Sequence, residues 1–290
     1  MFVWAEWPGT ADPSRYYSQF LSFISGNCGN LGVTRIILRI TDPSVSGLFT
    51  VDSKSSVFAD FFAKLSPSVE LHIYPYLLDA KAQSNWANYE ATGAPLEGVY
   101  KYARDWNTLL GSAGVGTRIS GIVLDGEENK GFLGEFPNVP KYKSTYGVAR
   151  LGVAIGFDQP GAVSKYAQAD DFYLEMYDFY VVDAPKLTLV QTVASDSAAS
   201  FLDKLDQEVL YPFVDKYSDP RLHFMWSVQA KSRSDCLYPL GSGCGSSDDF
   251  GMFSAADFNL FLRMVQVKYP VLAGRSHGIF QFSFIPTSWL

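Results

Sequence analysis

The sequence predicts an α/β protein folded as a single (β/α)8 TIM barrel over residues 1–290. Eight short runs rich in β-branched and aromatic residues recur along the chain, and most intervals between them carry a helical pattern. Such alternation implies parallel strands joined by right-handed crossovers, and the length of the chain suits one barrel. An open doubly wound sheet is disfavoured because Trp7-Pro8-Gly9-Thr10, after the first run, is no glycine-rich phosphate turn.

The predicted strands are short stretches of Val, Ile, Leu, Phe and Tyr, the residue types that favour a half-buried pleated surface. In chain order they are Phe2–Trp7, Thr34–Ile40, Glu70–Leu78, Ile119–Asp125, Leu151–Phe157, Phe172–Phe179, Leu222–Val228 and Gly278–Ile285.

The predicted helices have apolar residues spaced by three and four. They are Ser14–Ile24, which follows the Asp12-Pro13 start signal, and Val57–Leu65, Leu96–Leu110, Ala198–Tyr217 and Ala255–Tyr269. At most short helices are predicted around Lys141–Tyr146 and Ala162–Ala169, and the polar stretch Ala80–Asn88 is predicted to be a loop. The last strand ends close to Leu290, so the final helix is expected to be missing or supplied otherwise.

Composition and charge exclude several classes of protein. With 47% hydrophobic and 18% charged residues the chain is not disordered, and a net charge of −7 argues against a nucleic-acid or anionic-membrane partner. No apolar run approaches the roughly 20 residues that span a bilayer. Glu6, Asp12 and Arg15 interrupt the first stretch, which does not read as a signal peptide. We expect a monomer without a membrane partner.

Cysteines and histidines do not predict a metal centre or a cofactor. The three histidines are scattered and no CxxC occurs, so zinc spacing is missing. Cys236 and Cys244 bracket a Gly/Ser-rich loop. They form either a loop-closing disulfide, which would imply an oxidising compartment, or two separate thiols.

Polar and aromatic side chains stand where the predicted strands end. Because barrel active sites lie at the C-terminal ends of the strands, these residues are the candidates for a site. Those predicted to bind substrate are Glu6, Trp7, Arg39, Asp79, Trp86, Gln229, Gln281 and Phe282, and those predicted to be catalytic are Asp125, Glu127, Tyr177 and Asp178.

The fourth predicted strand carries the most specific signal. Alternation places Gly121, Val123, Asp125 and Glu127 on one face, so both carboxylates project into the mouth of the barrel. Two carboxylates this close do not ionise independently, and a protonated Glu beside an ionised Asp is what protonation of a glycosidic oxygen requires. The alternative is a capped turn in which both carboxylates bind loop amides or Arg39.

Two segments resemble a known family. The segment Gly121–Glu127, GIVLDGE, is similar to the fourth-strand signature D-x-x-D-x-D-x-E of the family 18 glycoside hydrolases, the chitinases and endo-β-N-acetylglucosaminidases. Glu175–Phe179, EMYDF, is similar to their sixth-strand M-x-Y-D or Q-x-Y-N. The resemblance implies that Glu127 is the general acid/base and that Asp125 orients the substrate's N-acetyl group. That acetamide would be the nucleophile, with its carbonyl held by Tyr177.

The chain departs from the family pattern at several positions. Val123 stands in place of the middle Asp and Ser120 in place of the first, and Tyr74–Leu78 lacks the third-strand S-x-G-G. Phe282 appears where a Trp usually forms the floor of the −1 subsite. The other large class of barrel glycosidases is disfavoured because Trp226–Lys231, at the end of the seventh strand, carries no carboxylate. Asp178 is an alternative nucleophile or base.

These observations predict a glycoside hydrolase that acts on an oligo- or polysaccharide, hexosamine-containing by resemblance. Trp7 and Trp86 are the aromatic residues favoured to stack on sugar faces. The alternative is a catalytically inactive chitinase-like barrel that binds glycans or has a structural role. A Mg²⁺- or Ca²⁺-dependent hydrolase is disfavoured because no dense D-x-D-x-D spacing occurs. A polysaccharide substrate favours an extracellular location; the sugar, the linkage and the stereochemical course stay open.

Overall fold

Eight parallel strands form a closed barrel in chain order, and the last strand pairs with the first. The computed structural model describes residues 1–5, 32–40, 62–75, 77, 79–126, 133–156, 160–175, 219–227 and 277–280, with single positions at 263, 266, 267, 270 and 275. The predicted TIM-barrel fold is confirmed. Within the described part of the chain, no helix is long and apolar enough to cross a membrane.

The strands begin within one residue of the predicted starts. Their bounds are β1 Phe2–Ala5, β2 Arg35–Ile40, β3 Glu70–Pro75, β4 Ile119–Asp125, β5 Arg150–Gly156, β6 Asp171–Glu175, β7 Leu222–Ser227 and β8 His277–Phe280.

The described helices are α1 Ala80–Asn88, α2 Pro95–Ser112 and α3 Val139–Tyr146, with 3-10 helices at Tyr89–Ala91, Leu133–Asn138 and Pro160–Ser164. The helices predicted at Leu96–Leu110 and Lys141–Tyr146 are confirmed as α2 and α3. In place of the short helix predicted around Ala162–Ala169 there is a 3-10 turn followed by turns. Residues 62–64 of the predicted Val57–Leu65 are helical. The helices predicted at Ser14–Ile24 and Ala198–Tyr217, most of Ala255–Tyr269 and the segment after β8 lie outside the described residues.

The prediction of a loop at Ala80–Asn88 is wrong, because this stretch forms helix α1. Its helical signal is weak, since only Ala82 and Trp86 are buried, one turn apart. The start is set by Asp79, whose carboxylate accepts a hydrogen bond of 2.7 Å from the backbone N–H of Ala82. This is an N-cap, which satisfies a donor that the first turn leaves without a partner.

Helix α2 fixes the start of β4. Pro95 stands in the first turn, where its missing N–H costs nothing. From the buried side of the helix, the Asn107 amide donates to the carbonyl of Ile119 at 2.9 Å and accepts from its N–H at 2.7 Å. Because both backbone groups of Ile119 are hydrogen-bonded to Asn107, the start of β4 is fixed relative to helix α2.

A bulge near the start of β4 sets which side chains enter the barrel. Leu71 pairs with Ile119 but His72 pairs with Gly121, so the pairing with β3 skips Ser120. A bulge of this kind re-aims the side chains that follow it. Gly121 then faces the His72 ring so closely that a Cβ would lie 2.7 Å from it, and Val123 joins the barrel core. The alternation predicted for Gly121, Val123 and Asp125 is confirmed.

The middle of the barrel is apolar. Its interior cluster consists of buried side chains from β1 to β7, namely Phe2, Trp4, Ile37, Tyr74, Val123, Ala154, Tyr173 and Met225. A packed interior rather than a pore is the rule for eight-stranded barrels. The cluster therefore separates the polar groups at the two ends of the barrel.

An ionic network occupies the N-terminal end of the barrel below this cluster. Asp171, almost fully buried, accepts two hydrogen bonds from Arg150, of 2.8 and 2.6 Å, and lies 2.8 Å from Nε2 of His223. Arg35 donates to Glu70 at 2.7 Å and lies 3.5 Å from Asp171. The charges at this end are thus paired, as burial requires.

Burial and charge shift the pKa values of several groups at this end, and those of His277, His72 and Glu70 bear on stability at acid pH. Burial lowers the pKa of His277 to about 4 and lowers that of His72 from its ordinary value of 6.5. Contacts with His72 and Arg35, together stronger than the opposing effect of burial, lower the pKa of Glu70 to about 2. The His72 nitrogen lies 3.6 Å from the Glu70 carboxylate, beyond hydrogen-bond length, so the 2.7 Å bond from Arg35 is the stronger contact.

We expect the protein to lose stability on acidification in two steps. Below pH 6.5 the unfolded chain binds protons that folded His72 and His277 do not bind, in the case of His277 down to about pH 4, so the free energy of unfolding falls as the pH falls. The slope per histidine is at most about 1.4 kcal/mol per pH unit. Between pH 4.5 and 2, protonation of Glu70 adds a further loss.

Urea unfolding at a series of pH values measures this dependence. In the matched variant His277→Phe, which keeps a ring stacked on Phe224, the slope of the first step should be reduced. A free energy of unfolding that stays constant from pH 7 to pH 4.5 would contradict the expectation.

Candidate active site

The described part of the candidate site centres on Asp125, the last residue of β4. Its half-buried carboxylate accepts a hydrogen bond of 2.9 Å from the hydroxyl of Tyr74, which lies one residue before the end of β3. Both residues lie toward the C-terminal end of the barrel, where Tyr74 is the member of the apolar cluster that contacts Asp125. This is the end at which TIM-barrel enzymes place their chemistry.

The ring of Tyr74 is held from the side by Trp4. The two ring centroids are 4.6 Å apart at an interplanar angle of 56°, and Tyr74 is only 7% exposed. Burial raises the pKa of Tyr74 far above its ordinary value, and the charge and hydrogen bond of Asp125 add to this effect. The hydroxyl therefore stays protonated at neutral pH, where it donates to Asp125.

A second acid and one base lie around the same phenol. Glu175, the last residue of β6, is 7% exposed, and its negative charge also raises the pKa of Tyr74. The positive charge of Arg39, on β2, has the opposite effect and lowers the pKa of Tyr74. The structure thus places the charges of Arg39 and Glu175 within electrostatic reach of the Tyr74 phenol, and Glu175 is added to the candidate site.

The backbone after Asp125 is fixed on two sides. The N–H of Gly126 donates to the carbonyl of Ala154 at 2.7 Å, and its carbonyl accepts from the Tyr166 hydroxyl at 2.6 Å. A Cβ at position 126 would lie 2.6 Å from the Ala154 oxygen, so glycine is needed for this close approach. The backbone at Gly126 is therefore fixed relative to β5 and Tyr166.

The chain beyond the β4 loop is anchored to helix α2. The carboxylate of Glu135 accepts from the backbone N–H groups of Leu96 and Glu97, at 3.1 and 3.2 Å, in the first turn of α2. Burial raises the pKa of Glu135, while these two bonds act against the increase. Glu135 thus fixes the 3-10 helix Leu133–Asn138 to the start of α2.

Two of the predicted substrate-binding residues have other tasks. Trp86 is fully buried on α1, where its ring packs edge-on against Tyr102 of α2 at 5.3 Å. It belongs to the packing between these helices, so the prediction that Trp86 contacts a sugar is wrong. Asp79 is exposed beyond the end of β3, and its carboxylate forms the N-cap of α1.

Most of the other predicted site residues lie outside the described part of the chain. These are Glu127, Tyr177 and Asp178 among the catalytic candidates, and Glu6, Trp7, Gln229, Gln281 and Phe282 among the substrate-binding candidates. Cys236 and Cys244 also lie outside it. Their roles stay predictions.

Among the described residues, no group of three or more His, Cys, Asp and Glu side chains is arranged to hold a metal ion. The donors gathered around Asp125 are a phenol and two carboxylates, opposed by the guanidinium of Arg39.

Two residues of this site, Tyr74 and Glu175, are not among the predicted site residues. The alternation His72, Tyr74 along β3 is the signal that places Tyr74 inside the barrel. Similarly, Glu175 follows Asp171 and Tyr173 on one face of β6. Both residues lie within apolar runs, so the sequence pattern predicts that these positions belong to the core.

The comparisons with known proteins find similarity in structure. No protein-family model and no curated protein sequence matches the chain. A family 18 chitinase from Crocus vernus is 13% identical, with 98% of this chain and 92% of the chitinase covered at a TM-score of 0.50. The xylanase-A-amylase inhibitor protein XAIP-III is 12% identical, with 98% and 93% covered at the same TM-score.

The similarity to these structures extends over nearly the whole chain. It confirms the remote resemblance to the family 18 chitinases at the level of the fold. One of the two barrels is named as an enzyme and the other as an inhibitor of enzymes, so the fold by itself does not decide between catalysis and binding.

Proposed function

We propose that the protein is a glycoside hydrolase whose substrate, a hexosamine-containing glycan, binds at the C-terminal mouth of the barrel. The observation that supports this most is the position of Asp125 on the inner face of β4, hydrogen-bonded to Tyr74. Glu127 follows two positions later in the sequence, after Gly126, whose N–H and carbonyl are both hydrogen-bonded. The reaction takes place outside the cell.

In the proposed reaction Glu127 is the general acid. It donates a proton to the glycosidic oxygen as the bond from that oxygen to the anomeric carbon breaks. The carbonyl oxygen of the substrate's own acetamide forms the new bond to the anomeric carbon, oriented by Asp125 and Tyr177. Water then attacks the same carbon as the bond from that carbon to the acetamide oxygen breaks, and the water gives a proton to Glu127, which restores the starting state.

The environment of Asp125 fits its part in this reaction. Positive charge develops on the acetamide nitrogen and at the anomeric carbon, and a nearby carboxylate stabilises it more strongly in a site with little water. Glu175, with Asp125, keeps this end of the barrel acidic, whereas Arg39 offers a cationic contact for a hydroxyl or carboxylate of the sugar.

The proposal is tested by the release of reducing ends from a substrate panel. The panel contains oligosaccharides of chitin, N-glycans, galactosaminoglycan and a neutral glucan. We expect release from one or more of the N-acetylhexosamine substrates and none from the glucan, because the glucan lacks the acetamide nucleophile. Hydrolysis of the glucan at an equal rate would contradict the acetamide mechanism, and no release from any substrate would contradict the enzyme proposal.

The alternative is a barrel that binds glycans or a partner protein without catalysis. The observation that favours it is Val123, fully buried and apolar where the family pattern has its middle Asp. The similarity in fold to a protein named as a xylanase and amylase inhibitor is consistent with it. Calorimetric binding of a chitin oligosaccharide in the absence of turnover would support this alternative.

A further inference from the structure

We infer that Tyr74 is a positioning residue of the site, which acts on the reaction through the carboxylate of Asp125. This inference rests on the proposed function, since it assigns a task within the same site. It goes beyond that function by assigning to β3 a polar contact that the family pattern, read along β4, does not contain.

The inference rests first on the geometry of the Tyr74 and Asp125 side chains. A hydrogen bond of 2.9 Å joins the Tyr74 hydroxyl to one carboxylate oxygen of Asp125. A carboxylate bound at one oxygen by a fixed donor is restricted in rotation about its Cβ–Cγ bond, so the second oxygen is presented in a narrower range of directions. A charged acceptor also makes this bond stronger than one between neutral groups.

The donor is itself well fixed. Tyr74 is 7% exposed, packs against Trp4 at 4.6 Å, and belongs to the apolar cluster that fills the barrel. Burial raises the pKa of the Tyr74 phenol far above its ordinary value, so at neutral pH it is a protonated hydrogen-bond donor. Tyr74 therefore orients Asp125 without taking part in proton transfer.

The residue two positions before Asp125 on the same face makes this contact more important. It is Val123, whose side chain has no polar atom and is fully buried among the apolar cluster. Val123 therefore cannot orient Asp125 through a hydrogen bond of its side chain. The contact from β3 exists because the bulge at Ser120 brings the inward faces of β3 and β4 together.

The test is a double-mutant cycle of Tyr74→Phe and Asp125→Ala on the full chain, with the panel substrate that responds best. In the Tyr74→Phe variant we expect kcat to fall roughly 10- to 100-fold while KM changes by less than about twofold. In the Asp125→Ala background the same change should alter kcat by less than about twofold, because a residue that acts through Asp125 has no further effect once Asp125 is gone. An equal loss in both backgrounds, or no loss in the first, would overturn the inference.

The matched control is Tyr100→Phe. Tyr100 is also fully buried, on α2 against Tyr142, and its hydroxyl has no hydrogen-bond partner among the described residues. Removal of that hydroxyl should leave kcat and KM unchanged. A loss of activity equal to that of Tyr74→Phe would mean that the assay reports general damage to the fold, and the inference would fail.

A second measurement separates this inference from the proposed function. If the wild-type protein releases no product from any substrate, the proposed function fails, and the same four proteins are compared by their urea unfolding midpoints. A midpoint shift for Tyr74→Phe that disappears in the Asp125→Ala background supports the link between the two residues. Equal shifts in both backgrounds would overturn it.

Discussion

Replacement of Asp171 by Asn is expected to lower the free energy of unfolding by about 3–5 kcal/mol. The side chain of Asp171 is 2% exposed and is bound by Arg150 and His223, with Arg35 at 3.5 Å. Burial by itself would raise the pKa of Asp171, but the bonds from His223 and Arg150 and the charge of Arg35 hold it well below its ordinary value. The folded state therefore needs the charged carboxylate.

The size of the effect comes from the groups that Asn leaves behind. Arg35 has a side chain only 12% exposed, so in the variant a nearly buried guanidinium depends on Glu70 alone for a negative charge nearby among the described residues. An uncompensated buried charge costs more than the pair contributes when intact. Urea unfolding at pH 7 measures the loss.

The matched control is Asp219→Asn, which removes a carboxylate from a more exposed pair. The side chains of Asp219 and Arg221 are 26% and 33% exposed and 2.9 Å apart. Exposed pairs contribute at most about 1 kcal/mol, so this variant should stay close to the wild type. Equal losses in the two variants would show that the N-terminal network is not an especially stabilising feature.

Replacement of Glu127 by Gln is expected to reduce turnover by roughly 10²- to 10⁴-fold, the usual contribution of a general acid/base. Gln has the same shape but carries no proton that can be given to the leaving oxygen. The unfolding midpoint should not fall, because nothing in the barrel core depends on this carboxylate in the proposed account. Initial rates on the responding substrate measure the loss of turnover, and calorimetry measures the affinity for the same oligosaccharide.

The control for this variant is again Asp219→Asn. Asp219 precedes β7 and so lies at the opposite end of the barrel from the proposed site. Its turnover should equal that of the wild type. If Glu127→Gln keeps near wild-type turnover, the assignment of Glu127 as the acid/base is wrong, and Asp178 becomes the residue to test.

The strands could be predicted from the sequence because each is a compact apolar run. Helix α2 was equally accessible, since its buried residues recur over four turns. Helix α1 was not, because a nine-residue helix that buries only Ala82 and Trp86 reads as a polar loop. The same error placed Trp86 at a sugar, although it packs between two helices.

The site could be predicted in part, through alternation along single strands. That pattern puts Asp125 inside the barrel but does not show which residue of another strand faces it. The contact of Asp125 with Tyr74 depends on the register between β3 and β4. This register changes at a bulge that no residue type in Ile119–Gly121 predicts. Likewise the pairing of Asp171 with Arg150 and His223 depends on how three strands align.

The rate of reducing-end release from chitin oligosaccharides by wild-type and Glu127→Gln protein, measured side by side, tests the assignment of the active site most directly. We expect release by the wild type and a loss of at least about 100-fold in the variant, with both proteins equally stable. Release at the same rate by both proteins would contradict the assignment of the active site. No release by either protein, with the oligosaccharide still bound, would identify a barrel that binds glycans without cleaving them.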